Sequence, residues 1–187
     1  MSDLDFHHET GRVSLDLIAT LGDRFGEALE RLKDPKALAA WLNDVAGRRF
    51  HDPLGDEDLA KSLRLRDSLC RVFDALYAGD VPAKTDIETV NRFAAQQPAV
   101  PLLLPDGRTL ASSGNLKLDD VLGEIARDAI DLLTGDEFAK TKRCAAEDCS
   151  VLFVDRSRPG KRRWCSMSRC GNREKKRGYN ARARQSI

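Results

Sequence analysis

Four of the five cysteines in this chain fall in two close pairs, Cys144 with Cys149 and Cys165 with Cys170, in the pattern C-x4-C-x15-C-x4-C. Thiolate sulfur is a strong zinc ligand, and two pairs joined by a spacer that can fold back supply the four donors of a tetrahedral site at about 2.3 Å. Other readings of such a set are two disulfides, four free buried thiols, or an iron site of rubredoxin or iron–sulfur type. Equal spacing within both pairs argues against chance, and a reducing compartment disfavours disulfides. Zinc is the expected ion. Four thiolates close the coordination shell and leave no position for substrate or activated water, so one structural ion per chain is expected. The remaining cysteine, Cys70, lies on an apolar helical face and reads as a small core residue.

The residues around this set are strongly basic. From Thr141 to Ile187 there are fourteen Lys and Arg against four Asp and Glu, whereas the preceding residues hold 17 basic and 26 acidic side chains. A net charge of +1 thus hides a separation into about −9 and +10. Four thiolates around Zn²⁺ carry a formal charge of −2, which Arg143 or Arg173 could partly balance. That leaves Arg156, Arg158, Lys161, Arg162 and Arg163 near a turn, and Arg173, Lys175, Lys176, Arg177, Arg182 and Arg184 on a terminal helix. A tethered cationic turn and helix suits phosphate contact, because guanidinium forks pair bidentately with phosphate oxygens. Arg158, Lys161, Arg162, Arg173, Lys176 and Arg177 are the candidate nucleic-acid contacts. The plainer readings are a solvated basic face, or one that the acidic part of the chain neutralises.

Elements must hold these residues in place. Between the cysteine pairs, Val151 to Val154 reads as a strand, Ser157-Arg158-Pro159-Gly160 as a turn and Lys161 to Trp164 as the return strand. Cys170 then stands at the start of a helix running toward Arg184. A ligand pair, a hairpin, and a second pair at a helix start describe a treble-clef or ribbon-like finger over residues 141–187.

Residues 1–140 read as a mainly α domain with one small β-hairpin. Leu15, Ile18, Leu21, Phe25, Leu29 and Leu32 recur at helical spacing and predict a first helix. Asp34-Pro35 opens a second, with Leu38, Trp41, Leu42 and Val45 as its core stripe and Gly47 as its stop. Leu59, Leu63, Leu69, Phe73 and Leu76 mark a third, ending by Gly79. Thr85 with Glu88 reads as a capping box for a fourth, which Pro98 ends. Asp106-Gly107 is a hairpin turn between short edge strands, and a fifth helix runs from about Asp119 to Gly135. These stripes can bury one another, so residues 1–140 are expected to fold without metal.

The opening residues are acidic and polar, unlike a secretory signal, and no apolar run is long enough to span a bilayer. A cytoplasmic protein with no membrane partner is expected. His7, His8 and His51 are the only histidines and read as surface residues. No nucleophile elbow, P-loop or dinucleotide-binding glycine pattern accompanies them, so no enzyme is expected.

The run from Cys165 through Cys170-Gly171-Asn172-Arg173 to Lys175 resembles the CGNR zinc finger, named for that signature, and Leu152 to Ser157 and Arg162 to Cys165 resemble its hairpin. In that family the finger follows an ABATE domain, and members are described as candidate stress-induced transcription regulators. Ser14 to Thr20 resembles the opening of that domain, with Leu17 and Ala19 where the family carries Phe and Asn. The resemblance implies a zinc-dependent regulator that binds nucleic acid, DNA before RNA, and whose N-terminal domain meets a small-molecule ligand or a protein partner. The competing reading is a protein-interaction module whose basic finger docks on an acidic protein surface. Within the signature, Gly171 lets backbone pass close to the metal, Asn172 can cap the helix, and Arg173 can pair with a thiolate or a phosphate. Trp164 reads as packing beneath the site.

Overall fold

The computed structural model describes residues 6–46, 50, 53–97, 101–108, 110–112 and 117–185, with backbone alone at 101–102, 110–112 and 181–185. His51, the helix stops read at Gly47 and Pro98, and the side chains of Arg182 and Arg184 lie outside that description. The chain divides into two compact units, one of residues 1–31 with 132–187 and the other of residues 32–131. The division differs from a boundary at residue 140, because the N-terminal stretch packs with the cysteine-bearing segment. No helix among the described residues is long and apolar enough to cross a membrane.

The unit of residues 32–131 is helical. Helix α2 (Pro35–Asp44) begins where Asp34 accepts a 2.7 Å hydrogen bond from the Ala37 amide, with proline at the first helical position. Helix α3 (Asp56–Ala78) ends at Gly79, whose φ of 82° is the left-handed conformation that glycine adopts without strain. Leu38, Trp41, Leu65, Leu69, Phe73 and Leu122 are completely buried, and Cys70 sits in the same helix α3, 6% exposed. Helix α4 (Lys84–Ala94) starts slightly earlier than the Thr85–Glu88 pair implies: Ala83 occupies the N-cap and makes no side-chain cap. At its other end, Arg127 of helix α5 (Leu118–Thr134) donates to the Ala94 and Gln96 carbonyls at 2.8 and 2.7 Å. A cation there satisfies carbonyls that a helix terminus leaves unpaired. Strands β3 (Pro101–Leu103) and β4 (Leu110–Ser112) pair antiparallel around Gly107, as the Asp106-Gly107 signal predicts.

In the other unit the first helix is much shorter than its sequence predicts. Helix α1 spans only Val13–Ile18. Leu21 and Leu29, expected on its continuation, instead sit in strands β1 (Leu21–Gly22) and β2 (Leu29–Glu30), which pair antiparallel. Phe25, placed on the same apolar face, is 62% exposed. Gly22, Asp23 and Gly26 supply the reason. Asp23 takes a positive φ of 43°, the Gly26 amide bonds the Asp23 carbonyl at 3.0 Å, and the chain turns back. A Cβ at Gly22 would lie 2.5 Å from the Arg31 guanidinium, so any larger residue there must displace that side chain.

Further along, strand β5 (Thr141–Arg143) pairs antiparallel with β6 (Leu152–Val154). The sequence placed the partner of β6 at Lys161 to Trp164, and this is a correction: those residues form no strand. The hairpin instead encloses the first cysteine pair. On its other side β6 receives the N-terminal stretch, the Val154 amide donating to the Thr10 carbonyl at 2.7 Å. A single π-type turn (Met167–Gly171) leads into helix α6 (Asn172–Gln185).

Candidate metal centre and nucleic-acid interface

The two cysteine pairs arrive from different elements and converge. Cys144 follows β5 and its amide donates to the Val151 carbonyl at 2.9 Å; Cys149 closes a tight turn, its amide bonded to Ala146 at 3.2 Å. Cys165 precedes the π-type turn and Cys170 lies within it. Their sulfurs all lie within 4.8 Å of one another, with 3.8 Å between Cys149 and Cys165 and 3.5 Å between Cys165 and Cys170. Four sulfurs each about 2.3 Å from a central zinc would be about 3.8 Å apart, so the donor set fits a tetrahedral ion. Cys144 is drawn below the ordinary thiol range, first by its hydrogen bond with Cys149, while Cys165 is pushed above that range, first through Cys144. A divalent cation lets all four ionise together. Cys144, Cys149, Cys165 and Cys170 would hold it, and its chemistry there is structural, cross-linking the loop between β5 and β6 to the start of α6.

The core around the cluster includes residues from both ends of the chain. Ala19, at the end of α1, packs with Val151, Phe153 and the cysteines, and Trp164 packs against them as its position beside Cys165 implies. Gly171 has a different reason from the one read in the sequence. A Cβ there would meet Met167 Sδ at 2.6 Å and Trp164 at 3.1 Å, so the glycine accommodates side chains of the preceding turn. Asn172 has helical backbone; the extended residue preceding the turn is Ser166.

Several basic residues are committed to this framework. Arg162 donates through Nε to the Trp164 carbonyl at 2.8 Å and through Nη2 to the carbonyls of Glu9, at 3.1 Å, and Cys165. Its guanidinium also lies 4.4 Å from the Phe153 ring centroid. Arg173 donates to Cys170 Sγ at 3.4 Å and to Asp148 at 2.7 Å, and Arg177 bonds Asp148 and Glu174, each at 2.8 Å. Arg143 stacks 4.6 Å from the Phe25 ring. His7 departs from the surface role read for it: it is 8% exposed beside Arg169, and burial with the Arg169 and Arg31 charges lowers its pKa to about 3. Its imidazole is neutral at physiological pH.

Two carboxylates, neither singled out in the sequence, organise the loop. Asp155 accepts from Lys142 at 2.7 Å, from the Ser157 hydroxyl at 2.6 Å, and from the Ser157 and Arg162 amides, bonds that hold its carboxyl well below the usual range. Glu137 accepts from Arg156 at 2.7 and 2.8 Å and from Arg12 at 3.1 Å, and these cations lower it to about 2. The turn they support presents Arg158 and Lys161. These two, with Lys175 and Lys176 on α6, make no ion pair among the described residues; Arg158, Lys161 and Lys176 are exposed. Arg163 is exposed as well, its guanidinium 4.9 Å from the Trp164 ring centroid.

Beside the cluster opens a cavity of about 660 Å³, with His7, Arg31, Cys149, Arg169, Cys170 and Arg173 among its walls. A second space of about 260 Å³ reaches Cys149 from beside Phe25 and Arg177.

Two family models match the chain. Residues 11–136 match ABATE, described as "Putative stress-induced transcription regulator", and residues 140–183 match the CGNR zinc finger. No curated protein matches it.

Proposed function

Since the chain belongs to the ABATE family and ends in a CGNR zinc finger, we propose that it is a cytoplasmic transcription regulator acting in a stress response, whose finger docks on the phosphate backbone of nucleic acid. The carrying observation is the division of labour among its cations. Arg162 and Arg173 serve the metal centre and Arg177 is ion-paired, whereas Arg158 and Lys161 at the turn and Lys175 and Lys176 on α6 are left for a partner. Cations held on a turn and a helix that a metal cross-links lose little further freedom when they meet phosphates. Duplex DNA is preferred to RNA in this reading. Trp164, partly buried, packs against the cysteine core and carries the Arg163 guanidinium over its ring, which makes it a poor platform for stacking unpaired bases. Residues 32–131 supply the input, a small-molecule ligand or a protein partner, and catalysis forms no part of the role, since four thiolates leave no open coordination position.

The test is a salt titration of binding to duplex DNA and to RNA. Replacing Arg158, Lys161, Lys175 and Lys176 together by Ala should weaken binding across sequences and reduce the salt slope by about 0.9 for each phosphate that is no longer neutralised. Arg173→Ala requires a zinc assay first, because it touches Cys170. Equal affinity of the fourfold variant and wild type would exclude this surface. Failure of the wild type to bind any polyanion at low salt would favour docking on an acidic protein.

A further inference from the structure

Cys149 differs from the other three ligands. Cys144, Cys165 and Cys170 are 6%, 1% and 2% exposed, while Cys149 is half-buried and lines both the 660 Å³ and the 260 Å³ spaces of its unit. Packing usually seals a structural zinc–thiolate centre from solutes. Here Cys149 and Cys170 both line a water-accessible space of about 660 Å³, large enough for small molecules to enter, but Cys170 is buried and only Cys149 is partly exposed. Arg31, Arg169 and Arg173 line that space, with Glu27 and Asp148 also on its walls and Asp148 engaged by Arg173 and Arg177. Cations on these walls stabilise the negative charge that develops on the departing oxygen of a peroxide.

We propose that Cys149 is a modification site, the point at which small peroxides oxidise the zinc centre. The Cys149 sulfur attacks one peroxide oxygen. An S–O bond forms, the O–O bond breaks with its electron pair on the departing oxygen, and that oxygen takes a proton and leaves as water, making Cys149 a sulfenic acid. The Cys165 sulfur, 3.8 Å away, then attacks the Cys149 sulfur. An S–S bond forms, the S–O bond breaks, and the hydroxide leaves as a second water after taking a proton. Two thiolates have lost two electrons and hydrogen peroxide has gained them. Only Cys144 and Cys170 remain as ligands, too few to hold the ion. This inference rests on the zinc centre and is independent of what the finger binds.

The experiment treats the zinc-loaded full-length protein with hydrogen peroxide, follows free zinc with a colorimetric chelator, and maps disulfides by peptide mass after remaining thiols are blocked. Zinc should leave in step with a Cys149–Cys165 disulfide, Cys70 should stay reduced, and dithiol reductant with added zinc should restore the centre. Zinc retention under a large peroxide excess would overturn the proposal, as would a first disulfide that lacks Cys149. A second measurement needs no oxidant. Limiting iodoacetamide on the zinc-loaded protein should place its first label on Cys149, and a first label on Cys144, Cys165 or Cys170 would show that the cavity does not decide access.

Discussion

Arginine serves different ends around the zinc centre, and residue type alone does not separate them. Arg162 holds backbone carbonyls of Glu9, Trp164 and Cys165, while Arg158, four positions earlier, is exposed. Arg162→Ala should therefore cost about 2 kcal/mol or more of stability, since hydrogen bonds from a charged donor are lost and carbonyls are left unpaired. Arg158→Ala should leave the denaturant midpoint and the zinc content at wild-type values; equal destabilisation by both would contradict this assignment. The cysteines were legible because four identical ligands at fixed spacing admit few other readings. The arginines were not, because their partners, backbone carbonyls for Arg162 and the Asp148 carboxylate for Arg173 and Arg177, are brought to them only by folding. Glu137 makes a second residue-scale prediction. Its folded pKa of about 2 lies below the ordinary 4.5, so the stabilisation it gives is complete above pH 4.5 and is lost as pH falls through about 2. Acid also protonates the thiolates and releases zinc, so wild type is compared with Glu137→Gln at each pH. The stability gap between them should narrow as pH falls below 4.5; a gap independent of pH would remove Glu137 from this role.

At the scale of elements, helices α2, α3 and α5 and the β3–β4 hairpin follow from local signals: an Asp-Pro start, a left-handed glycine stop, a strong apolar period, an Asp-Gly turn. Two elements were misread for opposite reasons. The apolar period from Leu15 to Leu32 is genuine, but Gly22 and Gly26 weaken any helix there, and the Arg31 guanidinium occupies the space above Gly22. Strand β5 was missed because Thr141-Lys142-Arg143 has no apolar alternation, and what holds it is pairing with the fully buried β6. The close approach at Gly22 is testable. Gly22→Ala should displace the buried Arg31 side chain and cost about 1–3 kcal/mol, the usual penalty for overpacking. An unchanged thermal midpoint would mean that Arg31 relocates freely.

At the scale of the whole molecule, the sequence families change at residues 136 and 140, near the change in charge, whereas the compact units do not. Ala19 packs in the same core as the four cysteines, and Thr10 bonds to β6. Removing zinc with a chelator should therefore speed amide exchange across residues 10–20 as well as 141–180, while α3 keeps its protection. Full protection of α1 after zinc removal would show that residues 1–31 are held by something other than the metal-dependent core. The same discontinuity has a consequence during synthesis. About 100 residues separate Arg31 from Leu132, and at roughly 5–20 residues per second the ribosome takes on the order of 5–20 s to make them. Through much of that interval Leu15, Leu17 and Ile18, fully buried in the finished protein, have left the exit tunnel before the β6 strand and the cysteines of their unit have been translated. A ribosome stalled just before Cys144 should thus carry a nascent chain whose first segment is cut by protease or held by a chaperone, and metal supplied at that stage should change nothing.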